Sequence, residues 1–181
     1  GFDALTFWAR ASKAADINEL GFGNLDDGST VATLNGARVN TNWKKFIIPI
    51  PDPSKLTQEQ ILFYYSEGPE DGRGYTFWID EVRFESLGTL AQPRPAILDG
   101  GEQTITAETG DEIEITGLRM TYNTASGTDV TTSAGPGYFE FSSSEPSVAT
   151  VSNDGVAMVL DAGQTVITAT LGGIEAGGAL T

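Results

Sequence analysis

The residues of this sequence best suited to do more than pack are three tryptophans, Trp8, Trp43 and Trp78, with Tyr64, Tyr65, Arg10 and Asp80. The chain has no cysteine and no histidine. There can be no disulfide, no thiolate nucleophile, no Cys/His zinc site and no hydroxyl activated by an imidazole base. Carboxylates, lysine, tyrosine and oxygen-ligated metals are the tools that remain. An aromatic ring offers a flat apolar surface on which the C–H face of a pyranose stacks, while arginine, asparagine and carboxylates satisfy the hydroxyls. Trp8, Arg10, Trp43, Tyr65 and Trp78 are therefore the candidate carbohydrate-binding residues, with Trp8 and Arg10 foremost because they alternate with Leu5 and Phe7. Core or edge packing is the competing use of such rings.

Other constellations do not reach a chemistry. Gly21-Phe22-Gly23-Asn24 lacks the third glycine of a dinucleotide loop. Asp16-Ile17-Asn18 begins like a calcium loop without its glycine and closing glutamate. Asp80, Glu81 and Glu85 sit on one short stretch, with no second carboxylate placed across a cleft as glycoside hydrolysis requires.

The element that must position these groups runs from Gly74 to Glu85. It is rich in aromatic and β-branched residues and reads as a strand. Tyr75, Phe77 and Ile79 alternate with Thr76, Trp78 and Asp80; Val82 and Phe84 then resume on the opposite parity, so Asp80-Glu81 marks a bulge. Leu5 to Ala11 is a strand with Leu5, Phe7 and Ala9 on one face and Thr6, Trp8 and Arg10 on the other. Ile17 to Asn24 is the next strand, followed by a turn at Asp26-Asp27-Gly28 and a hairpin turn at Asn35-Gly36 with Ala37 to Asn40 returning. Trp43 to Pro49 is a strand that ends, or lies at an edge, because of its proline. Pro53 to Gln60 offers a capped helical turn, and Ile61 to Tyr65 is another strand.

From Leu87 to Pro95 the periodicity stops and two prolines appear, which predicts a linker. Beyond it seven short strands are expected, at Gln103–Ala107, Glu112–Thr116, Arg119–Asn123, Tyr138–Ser142, Ala149–Val151, Ala157–Leu160 and Thr165–Leu171. Their separation by glycine turns is the pattern of a small sandwich.

The charge restricts partners. Ten Lys and Arg stand against 25 Asp and Glu, a formal net charge of −15. Such a surface repels phosphate backbones and anionic lipid, so nucleic acid is not expected as a partner. No apolar run approaches the ~20 residues of a membrane span, so membrane insertion is not expected either.

The second half resembles a known family. Ser144-Glu145-Pro146-Ser147-Val148-Ala149-Thr150-Val151, Asn153-Asp154-Gly155-Val156 and Ala162-Gly163-Gln164-Thr165-Val166-Ile167-Thr168-Ala169-Thr170 follow the order of the bacterial immunoglobulin-like domain of group 2. That resemblance implies a spacer or adhesive module of an exported bacterial protein, without chemistry of its own. The first half is similar to the C-terminal part of a galactose-binding-like jelly-roll carbohydrate-binding module. The residues that carry this are Leu5 to Ala11, Trp43 to Ile50 and Tyr75 to Val82. It implies that Asp80 of the closing strand ligates a structural calcium. It also implies about eight strands. Only about six fit, so a preceding segment or a separate chain is expected to complete the first sandwich.

The reading is an all-β protein: a jelly-roll β-sandwich, incomplete at its N-terminus, over residues 1–88, a linker at 89–95, and an immunoglobulin-like β-sandwich over 96–181. It is expected to be no enzyme but a glycan-binding module, with a polysaccharide or oligosaccharide as partner, in an extracellular or cell-surface bacterial protein. The alternative is a structural spacer or adhesin segment that binds no sugar.

Overall fold

The structure is a computed structural model that describes residues 1–26, 28–56 and 61–181. Its first half contains β1 (Ala4–Ala11), β2 (Ala15–Gly23), β3 (Ala32–Val39), β4 (Lys44–Pro49), β5 (Ile61–Ser66) and β6 (Phe77–Glu85). After these come β7 (Ala91–Ala96), β8 (Glu102–Gln103), β9 (Glu112–Glu114), β10 (Arg119–Asn123) and β11 (Asp129–Ala134). The remaining strands are β12 (Phe139–Ser143), β13 (Ala149–Val151), β14 (Val156–Val159), β15 (Ile167–Leu171), β16 (Ile174–Glu175) and β17 (Ala179–Leu180). The chain is all-β. None of its described helical segments is long and apolar enough to cross a membrane.

The described strands form four sheets: β4-β1-β6, β5-β2-β3-β11-β10-β7, β12-β15-β17-β8 with β16 on β15, and β13-β14-β9. The first sheet lies over the β5-β2-β3 part of the second, because the apolar parity of β1 needs a second apolar layer to bury it. Phe7 on β1 stacks on Phe46 of β4 at 5.3 Å and meets the edge of Phe63 of β5 at 5.6 Å. Phe22 on β2 meets Phe84 of β6 at 5.3 Å. Burying a ring like Phe7 contributes about 1.5–3 kcal/mol. The same core continues through Ile97, Met120, Tyr138 and Phe139 to Leu171 and Leu180 of the second half.

Several expectations hold at the level of elements. Among the described residues six strands precede Ser86, β4 lies at a sheet edge and ends at Pro49, and β6 is bulged. Others are corrected. Asn35-Gly36 is no hairpin turn: β3 runs straight through it, pairing Asn35 with Glu19 and Ala37 with Ile17. The hairpin closes earlier, between β2 and β3, so Asn35-Gly36 falls on a ladder already committed, and Gly36 takes φ +62 as an exposed distortion within it. Of residues 89–95, read as linker, 91–95 lie in β7, which pairs with β10 from Arg119↔Ala96 to Thr121↔Arg94 and, past a one-residue shift, at Asn123↔Ala91. Pro93 and Pro95 are tolerated because β7 is the outermost strand of its sheet, where a missing N–H costs no ladder bond. Of the strand expected at Gln103–Ala107 only Gln103 is in β8, and the polar strand β11 has no counterpart among the expected ones. The helical turn is Pro53–Lys55, capped by Asp52, whose Oδ1 accepts from Ser54 N–H at 2.9 Å; residues 57–60 of that expectation lie outside the described residues.

β11 joins the halves. Ser133 pairs with Thr33 and Ala134 with Ala32, so β3 and β11 share one sheet across the expected domain boundary. Tyr138, fully buried, donates its hydroxyl to the Thr30 carbonyl at 2.9 Å.

Candidate functional site

The outward face of β4-β1-β6 gathers four of the five sequence candidates. On β1 the alternation that points Phe7 into the core turns Thr6, Trp8 and Arg10 the other way. Arg10 is in register with Trp78 on β6, and Lys44, the first residue of β4, pairs with Ala9, which brings the preceding Trp43 beside Arg10 on the other flank. The Arg10 guanidinium carbon lies 5.0 Å from the Trp43 ring centre and 4.7 Å from that of Trp78. Two inter-strand spacings, about 9.5 Å, separate the backbones on either side of β1 that carry the two indoles. Each is 42% exposed, whereas Trp8, one row further along β1, is half-buried and less exposed than either. The two tryptophans that sequence reasoning ranked below Trp8 are thus the more exposed pair.

The next row across the sheet is Lys45, Trp8 and Asp80. Beyond it lies an ion-pair cluster. Thr6 donates to Glu85 Oε2 at 2.8 Å, Lys45 Nζ meets the same oxygen at 2.7 Å, and Arg83 Nε meets Oε1 at 2.8 Å. Arg83 also reaches Glu81 Oε2 at 3.2 Å. The Lys45 ammonium, then the Thr6 hydroxyl, hold the Glu85 carboxyl below its ordinary pKa, and the Arg83 charge adds to this. Lys45 and Arg83 are thereby spent. Arg10 is not: its side chain makes no hydrogen bond or ion pair with the described residues, and its Nε is shut from solvent without an acceptor.

The bulge makes this face possible. Opposite the Thr6 to Trp8 step the register shifts by one residue, Glu81 takes φ +51, and Asp80 Oδ1 accepts from the Glu81 N–H at 2.8 Å. The extra residue lets Phe77, Ile79 and Phe84 all serve the interior despite their mixed parity, while Trp78, Asp80, Arg83 and Glu85 stay outside. Asp80, expected to hold calcium, supplies a single carboxylate here. Calcium takes six to eight oxygens, and among the described residues no group of three or more His, Cys, Asp or Glu is gathered to hold a metal.

Tyr65 stands apart. It is 57% exposed on β5 and packs edge-on against Phe77 at 5.3 Å, on the side of β6 opposite Trp78. Tyr64 is turned to Thr33, its hydroxyl bonded to the Thr33 Oγ1, and burial raises its pKa. Lys45, Thr6 and Glu85 were not named as part of the site from sequence. The signal was there in the bulge, which puts Glu85 on the same face as Trp78, and in the register of Lys45 two places after Trp43.

A cleft of about 600 Å³ opens elsewhere, lined by Ile105, Ile113, Val148, Val159 and Ile167 among others, and none of the aromatic candidates borders it. Comparison with curated proteins finds no match, and comparison with solved structures finds none either. Residues 120–178 match the family model of the bacterial Ig-like domain (group 2), a match that begins within β10, runs through β16 and leaves residues 1–119 outside it.

Proposed function

We propose that the first half binds a glycan on the β4-β1-β6 face and that the second half carries it as a spacer, with no catalysis by either. The supporting observation is the convergence of Trp43, Arg10 and Trp78 across three strands, with both indoles substantially exposed. Two exposed indoles on either side of a guanidinium suit an extended saccharide that stacks on both while the cation between them meets its oxygens. Bacterial Ig-like domains of group 2 occur in surface or exported proteins, and a glycan-rich exterior is where such a face has use. Affinity electrophoresis in polysaccharide gels tests the reading. The unmodified protein is expected to be retarded by at least one polysaccharide, and Trp43→Ala/Trp78→Ala to migrate freely with its fold retained. Equal migration in all gels sinks it. Calcium at Asp80 is part of the proposal and is tested in the same gels, with calcium against chelator and with Asp80→Asn.

A second reading has its own observation. The β3–β11 pairing and the shared core weld the halves together, as a load-bearing spacer with no ligand would require. On that reading Arg10 between two indoles is a surface brace, and the gels show no retardation.

A further inference from the structure

We infer that the ligand of this face carries a carboxylate, and that Arg10 is the residue that takes it: a largely neutral glycan bearing uronate groups. This rests on the glycan-binding reading above and narrows it. Of the cations on the outward face, Lys45 and Arg83 are held by Glu85 and Glu81, whereas Arg10 has no acceptor among the described residues. Its Nε is shielded from water and unpartnered, whereas Nη1 and Nη2 are not closed off in this way and hydrogen-bond to nothing among the described residues. A charged donor group with no internal acceptor is the more costly to leave unpaired, and Nη1 and Nη2 form the end that a ligand can reach. The obvious internal partner is diverted. Asp80 lies one row away, opposite Trp8, and its Oδ1 is taken by the Glu81 N–H.

The indoles flank the guanidinium and fix its position, 5.0 Å and 4.7 Å from their centres, which reduces the side-chain entropy to be lost when a ligand docks. A guanidinium fork matches a carboxylate through two parallel hydrogen bonds, a geometry that a sugar hydroxyl cannot offer. The saccharide's C–H faces would stack on the rings while its carboxylate meets the fork between them. The net charge of −15 limits the kind of acid. A dense polyanion is repelled by the whole molecule, so isolated uronates on a neutral chain fit better than a sulfated glycan.

The test uses the full chain in gels and in titrations against glucuronoxylan, partially methyl-esterified pectin and xanthan, each native and after reduction of its carboxylates to alcohols, with dextran sulfate and neutral galactan alongside. Native uronate glycan is expected to bind about tenfold or more tightly than its carboxyl-reduced form, the worth of one charged hydrogen-bonded pair. Arg10→Gln is expected to erase that difference, so that native and carboxyl-reduced forms bind the variant equally whatever its overall affinity. If Arg10→Gln does not fold, the native-against-reduced comparison on the unmodified protein decides alone. Equal binding of native and reduced forms overturns the inference and leaves the glycan reading standing. Tighter binding to dextran sulfate than to any uronate glycan overturns it as well, since charge and not carboxylate shape would then be read. No binding to any polysaccharide, galactan included, removes both.

Discussion

At the scale of single residues, the outward face separates side chains that stabilise from those free to act. Trp43 and Trp78 are exposed enough that truncating either costs about 1–2 kcal/mol of folding stability. Loss of one stacking ring is expected to weaken polysaccharide binding about tenfold, which is about 1.4 kcal/mol. Titration of Trp78→Ala alongside its thermal unfolding checks both. Glu85 belongs to the other class. Its pKa is lowered in the folded protein by Lys45 and Thr6, so its contribution to stability is complete above the ordinary value of 4.5 and is lost as pH falls through the lower folded value. Glu85→Gln is therefore expected to melt about 2 °C below the unmodified protein at pH 7, with the gap closing under acid. A gap that widens at low pH would contradict this assignment. The alternation Phe7, Trp8, Ala9, Arg10 and the break at Asp80-Glu81 made the facing of Trp8, Arg10 and Trp78 legible from sequence. The exclusion of Tyr65 was not legible: its strand parity is plain, but which sheet it joins depends on pairing with β2, a contact remote in sequence.

At the scale of elements, strands with strong apolar alternation were legible and those defined by their neighbours were not. β1, β2, β4, β5 and β6 each carry an internal pattern. β7 and β11 carry none: β7 has two prolines, and β11, Asp-Val-Thr-Thr-Ser-Ala, is mostly polar. Each is a strand because a partner presents an edge, β10 for β7 and β3 for β11. The Asn35-Gly36 pair shows the converse, a strong local turn signal overridden by a ladder that continues past it. The junction element also predicts a sensitive glycine. Gly135, just after β11, has ordinary φ −64, yet a Cβ there would sit 2.2 Å from the Gly28 carbonyl oxygen and 2.4 Å from that of Ser29. Both obstacles are backbone and cannot swing aside. Gly135→Ala is expected to cost about 1–3 kcal/mol through overpacking, read as a fall in the denaturant midpoint. Gly172→Ala serves as a contrast: its φ is +57 but nothing lies within 4 Å, so only backbone strain of about 1 kcal/mol is at issue.

At the scale of the whole molecule, the consequence of β3–β11 pairing is cooperativity. Two domains tethered by a linker would unfold independently, each with its own transition. Here a six-stranded sheet crosses the expected boundary, Gly135 N–H donates to the Val31 carbonyl at 2.7 Å, and Lys55 meets Glu140 at 3.1 Å. Tyr138 lies at the crossing, buried among residues of both halves and bonded to the Thr30 carbonyl. The first half therefore cannot lose its fold without baring the edge of β11 and the Tyr138 ring. Calorimetry is expected to show one transition whose van't Hoff and calorimetric enthalpies agree. Tyr138→Ala, which removes the ring at the seam, is expected to cost about 3–5 kcal/mol and to lower the midpoint reported from the Trp43 and Trp78 side of the molecule, although both indoles lie on the opposite half. Two resolved transitions in the unmodified protein, with Tyr138→Ala shifting only the one that belongs to residues 96–181, would mean that the shared sheet does not couple the halves. The spacer would then be a flexible tether, and the orientation of the tryptophan face relative to its anchor would be left free.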